Sequence, residues 1–189
     1  MTVKPQAISR VASHALRHAP ADYGLQLDEE GWVPVDELIS AMRKQGSEWA
    51  SITRLDLQTM IETSAKQRHE INGDRIRAIY GHSVSTEIKH VAATPPPVLF
   101  HGTSPSAWEA IQLDGLRPMQ RQQVHLSADI ATAIAVGKRK ANPPVILVVS
   151  AREALQSGSR FWLGNDTIWL ADFVAAKHIT VLSEDASVS

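Results

Sequence analysis

The chain has 189 residues, 43% of them apolar and 21% charged, with a formal net charge of −1. That composition suits one or two compact domains with real cores, excludes a disordered or fibrous chain, and carries no global signature of nucleic-acid binding. There is no cysteine, so disulfides and thiolate–metal sites are excluded.

The opening MTVKPQAISR has no apolar stretch long enough for a signal peptide, and no window approaches a membrane span. A soluble, cytoplasmic and monomeric protein is expected. A first helix is predicted over 5–18, with Ile8, Val11, Ala12, Ala15 and Leu16 at helical spacing. Pro20 biases Ala19 out of the α region and stops it. The pair Arg17–His18 therefore falls in the last turn, where cations complement the helix dipole by a few tenths to about 1 kcal/mol. GLQLDEEGWVPV alternates apolar and polar residues around a turn, and VDELISAMRKQ returns to helical period with Asp36 near its start. SITRLDLQTMIETS is a further amphipathic helix, with Ser51 as the expected N-cap. RHEING and RIRAIYG, joined through Asn72-Gly73-Asp74, read as a hairpin. Helices followed by a hairpin is the order of a winged helix, a likeness of fold that says nothing of function by itself.

The run ATPPPV (93–98) marks a boundary, since three prolines cannot continue a helix and favour a stiff connector. Two domains are expected, 1–92 and 93–189. After the prolines, VLFHGT reads as a buried strand entering a polar turn, PSAWEAIQLDG as a helix ended by Gly115, and VHLSAD as a short strand and turn. DIATAIAVGKRK is a helix, PVILVVSA a β-branched strand, and TIWLADFV and HITVLS close the set. The fold class is α+β, with a small, mostly antiparallel sheet in the second half.

Charge is balanced in each half, 11 Lys/Arg against 12 Asp/Glu over 1–90 and 8 against 8 over 91–189. A polyanion must therefore meet a local cluster that folding creates. HEI and HGT are not HExxH, and no metal site is expected. Trp32, Trp162 and Trp169 lie in apolar patterns as packing residues. His82 and Ser83 fix the exit from the hairpin. Lys138, Arg139 and Lys140 form a basic helix end that is either solvated or against an RNA backbone.

Four stretches put polar groups at turns or strand ends: LRHAP, KQRHEI, LFHGTS and MQRQQVHLS. Each is weak alone. Together, three arginines and a histidine would make a receptor for a dianionic phosphate, because guanidinium forks match phosphate oxygens. Each charge-assisted hydrogen bond contributes about 1.5–3 kcal/mol, enough to offset the missing global charge.

In this order the motifs LRHAP, GLQLDEEGWVPVDEL, KQRHEI, RIRAIYGHS, PPVLFHGTS, DGLRPMQRQQVHLSAD, VGKRKANPPVILVV and FWLGNDTIWL cover nearly the whole chain. The chain resembles the RNA 2′-phosphotransferase family. The resemblance implies a winged-helix-like RNA-binding lobe followed by an ADP-ribosyltransferase-like lobe that binds NAD. It implies removal of an internal 2′-phosphate from RNA, of the tRNA splice-junction type, with NAD consumed. The 2′-phosphate attacks the anomeric carbon of the nicotinamide ribose and nicotinamide leaves, forming a 2′-phospho-ADP-ribosylated RNA. The neighbouring ribose hydroxyl then attacks phosphorus, releasing RNA with a free 2′-OH and ADP-ribose 1″,2″-cyclic phosphate. The family's Arg-His-Arg-Arg set falls on Arg17, His18, Arg68 and Arg121. The arginines are expected to hold the 2′-phosphate, with His18 as phosphate ligand and candidate general acid. NAD is expected against His101, Gly102, Thr103, Ser104, His125 and Ser127, with Gly102 admitting the cofactor close to the backbone. The chain departs from the family at His69, where an aromatic is usual, and at Gln122, where a histidine often stands.

Two other classes compete. One is an ADP-ribosyltransferase acting on nucleic-acid terminal phosphates. A protein-modifying version is disfavoured because the carboxylates of the second half, from Glu109 to Glu184 and Asp185, include no Glu-x-Glu pair. The other is a non-enzymatic winged-helix nucleic-acid binder, which the balanced first half argues against.

Overall fold

The structure, a computed structural model, describes residues 3–183; Glu184 and Asp185 lie outside them. The chain divides into two compact units, Met1–His90 and Val91–Ser189.

In the first unit, α1 (Pro5–Arg17) turns Ile8, Ala12, Ala15 and Leu16 onto one buried stripe. Pro5 sits in its first turn, where a missing N–H costs nothing. A short 3-10 helix (Pro20–Tyr23) follows, ended by Gly24 in the left-handed region. Next come β1 (Trp32–Pro34), α2 (Val35–Arg43) and α3 (Arg54–Glu62). Then β2 (His69–Asn72) and β3 (Arg75–Ala78) form the expected hairpin, with Gly73 at positive φ in its turn. The sheet is antiparallel, in the order β1-β3-β2. Val33, Leu38, Met42, Leu57 and Ile76 join the α1 stripe in one core.

The cap of α3 differs from expectation. Thr53, not Ser51, is the N-cap, and Asp56 completes a capping box by accepting from the Thr53 N–H at 2.8 Å. Ser51 lies in a separate turn after Trp49. Asp three residues after Thr makes the reciprocal pair that Ser51, followed at the same spacing by Arg54, cannot form.

The second unit is built on β4 (Leu99–Thr103), α4 (Pro105–Asp114), β5 (Val124–Ser127), α5 (Ile130–Gly137) and β6 (Val145–Val149). It continues through α6 (Ala151–Gln156), β7 (Phe161–Asn165), β8 (Ile168–Ala171) and β9 (Ile179–Val181). These strands form one sheet in the order β7-β8-β5-β4-β6-β9, antiparallel at every pairing. The fold is thus α+β with antiparallel sheets. Leu99, Leu126, Leu147, Val149 and Phe161 centre its core. Helix α6 and strand β7 have no counterpart in the sequence reading. Six residues are too few to show a helical period, and FWLGN breaks strand alternation with a glycine.

One glycine sets how close the layers come. A Cβ on Gly102 of β4 would lie 2.0 Å from the Ala133 carbonyl oxygen and 2.7 Å from the Gly137 backbone N of α5. Gly102→Ala must push α5 off the sheet, and overpacking of this kind costs typically about 1–3 kcal/mol. Urea unfolding of the variant should show its midpoint lowered; an unchanged midpoint would mean the helix does not pack on β4 this closely.

Candidate functional site

Arg17 is the last helical residue of α1, and His18 is its C-cap, with φ −120° and ψ −44°. The break between them sends the two side chains apart. Arg17 is buried, with 8% of its surface exposed, whereas His18 is exposed. Arg17 Nη2 donates to the Arg68 carbonyl oxygen at 3.1 Å, and the Ile79 N–H donates to the same oxygen at 2.9 Å. The two arginines of LRHAP and KQRHEI are thereby tied together across the entrance to the hairpin.

The segment that leaves β3 wraps the same helix end. The Arg17 guanidinium lies 5.2 Å from the Tyr80 ring centroid. Gly81, at φ +89°, turns the chain beside it in a conformation that favours glycine. The Ser83 N–H donates to the Arg17 carbonyl at 2.9 Å, and Ser83 Oγ lies 2.8 Å from His18 Nδ1. His82 between them is wholly buried, and neither ring nitrogen makes a hydrogen bond. Burial, then Arg17, His90, His18 and Arg77, hold its pKa down to about 3. His69, bonded to Ser13 Oγ at 3.2 Å, is likewise lowered to about 3 by burial and then by Arg17, Arg68 and His82. It stands as a buried neutral residue of the wall rather than a stacking surface.

The other arginines of this sheet serve structure. Arg77 pairs with Glu70 at 2.6 Å and covers Trp32 at 4.5 Å, while Arg75 pairs with Asp28. Arg68, by contrast, pairs with no carboxylate among the described residues. Trp32 is 9% exposed and packed, as its apolar context suggested.

In the second unit, Arg121 lies exposed on the loop before β5. His101, on β4, donates from Nδ1 to the His125 carbonyl at 2.9 Å once neutral, which leaves Nε2 as its acceptor. Burial is the main cause that lowers its pKa to about 4, with Lys140 and Arg121 adding to it. Lys140 is itself pushed down by partial desolvation, Arg121 and Arg139. Lys140 and Arg121 thus act on His101, and Arg139 on Lys140, while Arg139 and Lys140 make no ion pair among the described residues. Thr103 and Ser127 are buried hydroxyls on neighbouring strands, exposed by 1% and 4%. His125 Nδ1 bonds the Gln123 carbonyl at 3.0 Å. Ser104 caps α4, accepting from the Ala107 N–H at 3.2 Å. A side chain on Gly102 would collide with the backbone of α5, so packing by itself calls for glycine there.

Two comparisons with known proteins bear on this arrangement. Residues 4–173 match the family model described as "RNA 2′-phosphotransferase, Tpt1 / KptA family". A "Probable RNA 2′-phosphotransferase" of Acetivibrio thermocellus is 47% identical over 172 residues, spanning 91% of this chain and 94% of the relative. Proteins of the same description from Bacillus thuringiensis (47% over 174 residues, 92% and 94% of the two chains) and Streptomyces coelicolor (40% over 172, 91% and 92%) also match. The chain belongs to the RNA 2′-phosphotransferase family.

For a member of this family, the structure adds residues that the sequence reading had not placed in the site. Tyr80 and Ser83 sit on Arg17 and His18, and Lys140 joins Arg121. The signal for the first two was present in RIRAIYGHS, directly after the hairpin; for Lys140 the sequence offered only a basic run. No helix among the described residues is long and apolar enough to cross a membrane, and no group of three His, Asp or Glu gathers there as a metal site.

The depressed histidines give stability a defined pH dependence. Their folded values, about 3 for His69 and His82 and about 4 for His101, lie below the ordinary 6.5. Between those limits the unfolded chain binds protons that the native state refuses, so stability is full above pH 6.5 and falls as acid is added. Urea unfolding from pH 7 to pH 4 should show this decline, and His82→Gln should flatten it. An unchanged slope in the variant would contradict a buried neutral His82.

Proposed function

We propose that this protein removes an internal 2′-phosphate from RNA in an NAD-consuming reaction, and that Arg17, His18, Arg68 and Arg121 handle the phosphate. The observation that carries the reading is the tie from the Arg17 guanidinium to the Arg68 carbonyl, with His18 next to Arg17 in the chain and Arg68 unpaired with any carboxylate among the described residues. A dianion is the complement of such a set. In a family named for moving a 2′-phosphate, the RNA supplies it.

The order α1, β1, α2, α3, β2, β3, with a three-stranded antiparallel sheet, supports a winged-helix reading of the first unit and its role toward RNA. The second unit, read as ADP-ribosyltransferase-like, takes NAD. Its donor set suits a dinucleotide: cations Arg139 and Lys140 for a diphosphate, and His101, Thr103 and Ser127 for ribose hydroxyls. Ser104 and His125 border that set, and Gly102 contributes backbone. NAD, when bound, supplies an anomeric carbon activated by its cationic nicotinamide.

The first step joins a 2′-phosphate oxygen to that carbon, and the bond to nicotinamide breaks with its electron pair, giving 2′-phospho-ADP-ribosylated RNA. In the second, the adjacent ribose oxygen bonds phosphorus, the bond from phosphorus to the RNA 2′-oxygen breaks, and ADP-ribose 1″,2″-cyclic phosphate is released. The attacking hydroxyl loses its proton to solvent, and the departing 2′-oxygen gains one. His18 gives that proton, and the arginines stabilise the charge that moves across the phosphoryl oxygens.

A short RNA bearing an internal 2′-phosphate should lose it only when NAD is supplied, with nicotinamide and the cyclic phosphate both appearing. Loss without NAD, or none with it, overturns the reading. Arg68→Ala should let phospho-ADP-ribosylated RNA accumulate on a denaturing gel. His18→Ala should slow turnover by about 10²–10⁴-fold, the range for a positioned general acid. Near-wild-type turnover in Arg17→Ala, His18→Ala and Arg68→Ala alike would sink the site assignment.

A further inference from the structure

We propose that Ser83 is the positioning residue for His18, holding the imidazole by Nδ1 so that Nε2 is the nitrogen presented to the RNA phosphate. The proposal rests on the reading of His18 given above.

His18 stands at an exposed helix end, just outside the helical backbone. A side chain there has several staggered rotamers, and a neutral imidazole has two tautomers. Ser83 Oγ, at 2.8 Å from Nδ1, limits the rotamer, and with Nδ1 as the donor it limits the tautomer as well. An imidazolium can only donate, so in the acid form of His18 the bond runs from Nδ1–H to the serine oxygen. After Nε2 has given its proton to the departing 2′-oxygen, Nδ1–H remains on Ser83 and Nε2 carries the lone pair. The serine thereby keeps the transferable proton on one nitrogen throughout.

The hydroxyl is itself held in place. The Ser83 N–H bonds the Arg17 carbonyl at 2.9 Å, so one residue grips both members of the Arg17–His18 pair. Two residues earlier, Gly81 turns the chain at positive φ around the Arg17 guanidinium, and His82 is sealed beneath. The Ser83 hydroxyl is thus delivered by a loop anchored to the helix it serves. Another ring, that of His14, lies 6.3 Å from His18 and bonds Tyr23 Oη at 3.2 Å through its own Nδ1.

Ser83→Ala and Ser83→Thr test this by steady-state kinetics on 2′-phosphorylated RNA and by nitrogen-15 NMR of the histidine rings, with His18→Gln identifying the His18 signals. In the wild type, neutral His18 should be the Nδ1–H tautomer. Ser83→Ala should mix the tautomers and lower kcat by about 10–100-fold, the range for partners that orient metal-binding histidines, while KM for the RNA stays within about twofold. Ser83→Thr should restore both the tautomer and most of kcat. A His18 tautomer that Ser83→Ala leaves unchanged overturns the proposal, as does a lost kcat that Thr fails to rescue. Absence of NAD-dependent turnover in the wild type would instead overturn the proposed function, and the NMR comparison would still decide whether Ser83 sets the tautomer.

Discussion

A buried guanidinium is costly to take out of water, and the geometry at the end of α1 is organised around the contacts that Arg17 makes there. Its Nη2 reaches the Arg68 carbonyl, which also accepts from Ile79, so the hairpin entrance is pinned to the end of α1. Its face meets Tyr80, and Gly81 turns the chain at positive φ beside it. The neighbours that complete this wall, His69 and His82, are kept neutral by burial and by the cations themselves. They line the site without adding charge to it.

The second unit meets a similar demand differently. Its cations stand on a loop and at a helix end, and the rigid part is the sheet beneath them. Gly102 lets α5 approach β4 closely enough that the chain leaving α5, with Arg139 and Lys140, arrives beside His101. The bond from His101 Nδ1 to the His125 carbonyl then decides which ring nitrogen remains as an acceptor. Close packing of a helix on a strand and selection of a histidine tautomer are here parts of one arrangement.

Much of the fold was legible because its signals are local. The spacing of Ile8, Ala12, Ala15 and Leu16, the Asn72-Gly73-Asp74 turn and the three prolines each act within a few residues. Legibility failed where signals were short or competed. Ser51 and Thr53 are both capable caps, and only the reciprocal bond with Asp56 chooses between them. The residues AREALQ and FWLGN are too few, or too irregular, to declare a period.

Taken alone, the sequence determined most of the element types, the α+β class and the family, because residue periodicity and ordered motifs are properties of the chain itself. It could name Arg17, His18 and Arg68, but it could not say what holds them. That was decided by tertiary structure, since Arg17 and Arg68 are 51 residues apart and His18 and Ser83 are 65 apart. Hydrogen bonds at 2.8–3.1 Å between such distant positions arise only when the helix end, the hairpin entrance and the segment after β3 are packed against one another. The bland reading of Arg17–His18 as a dipole-complementing helix end described the helix correctly. Folding turned one of the two side chains inward and fastened the other to a serine.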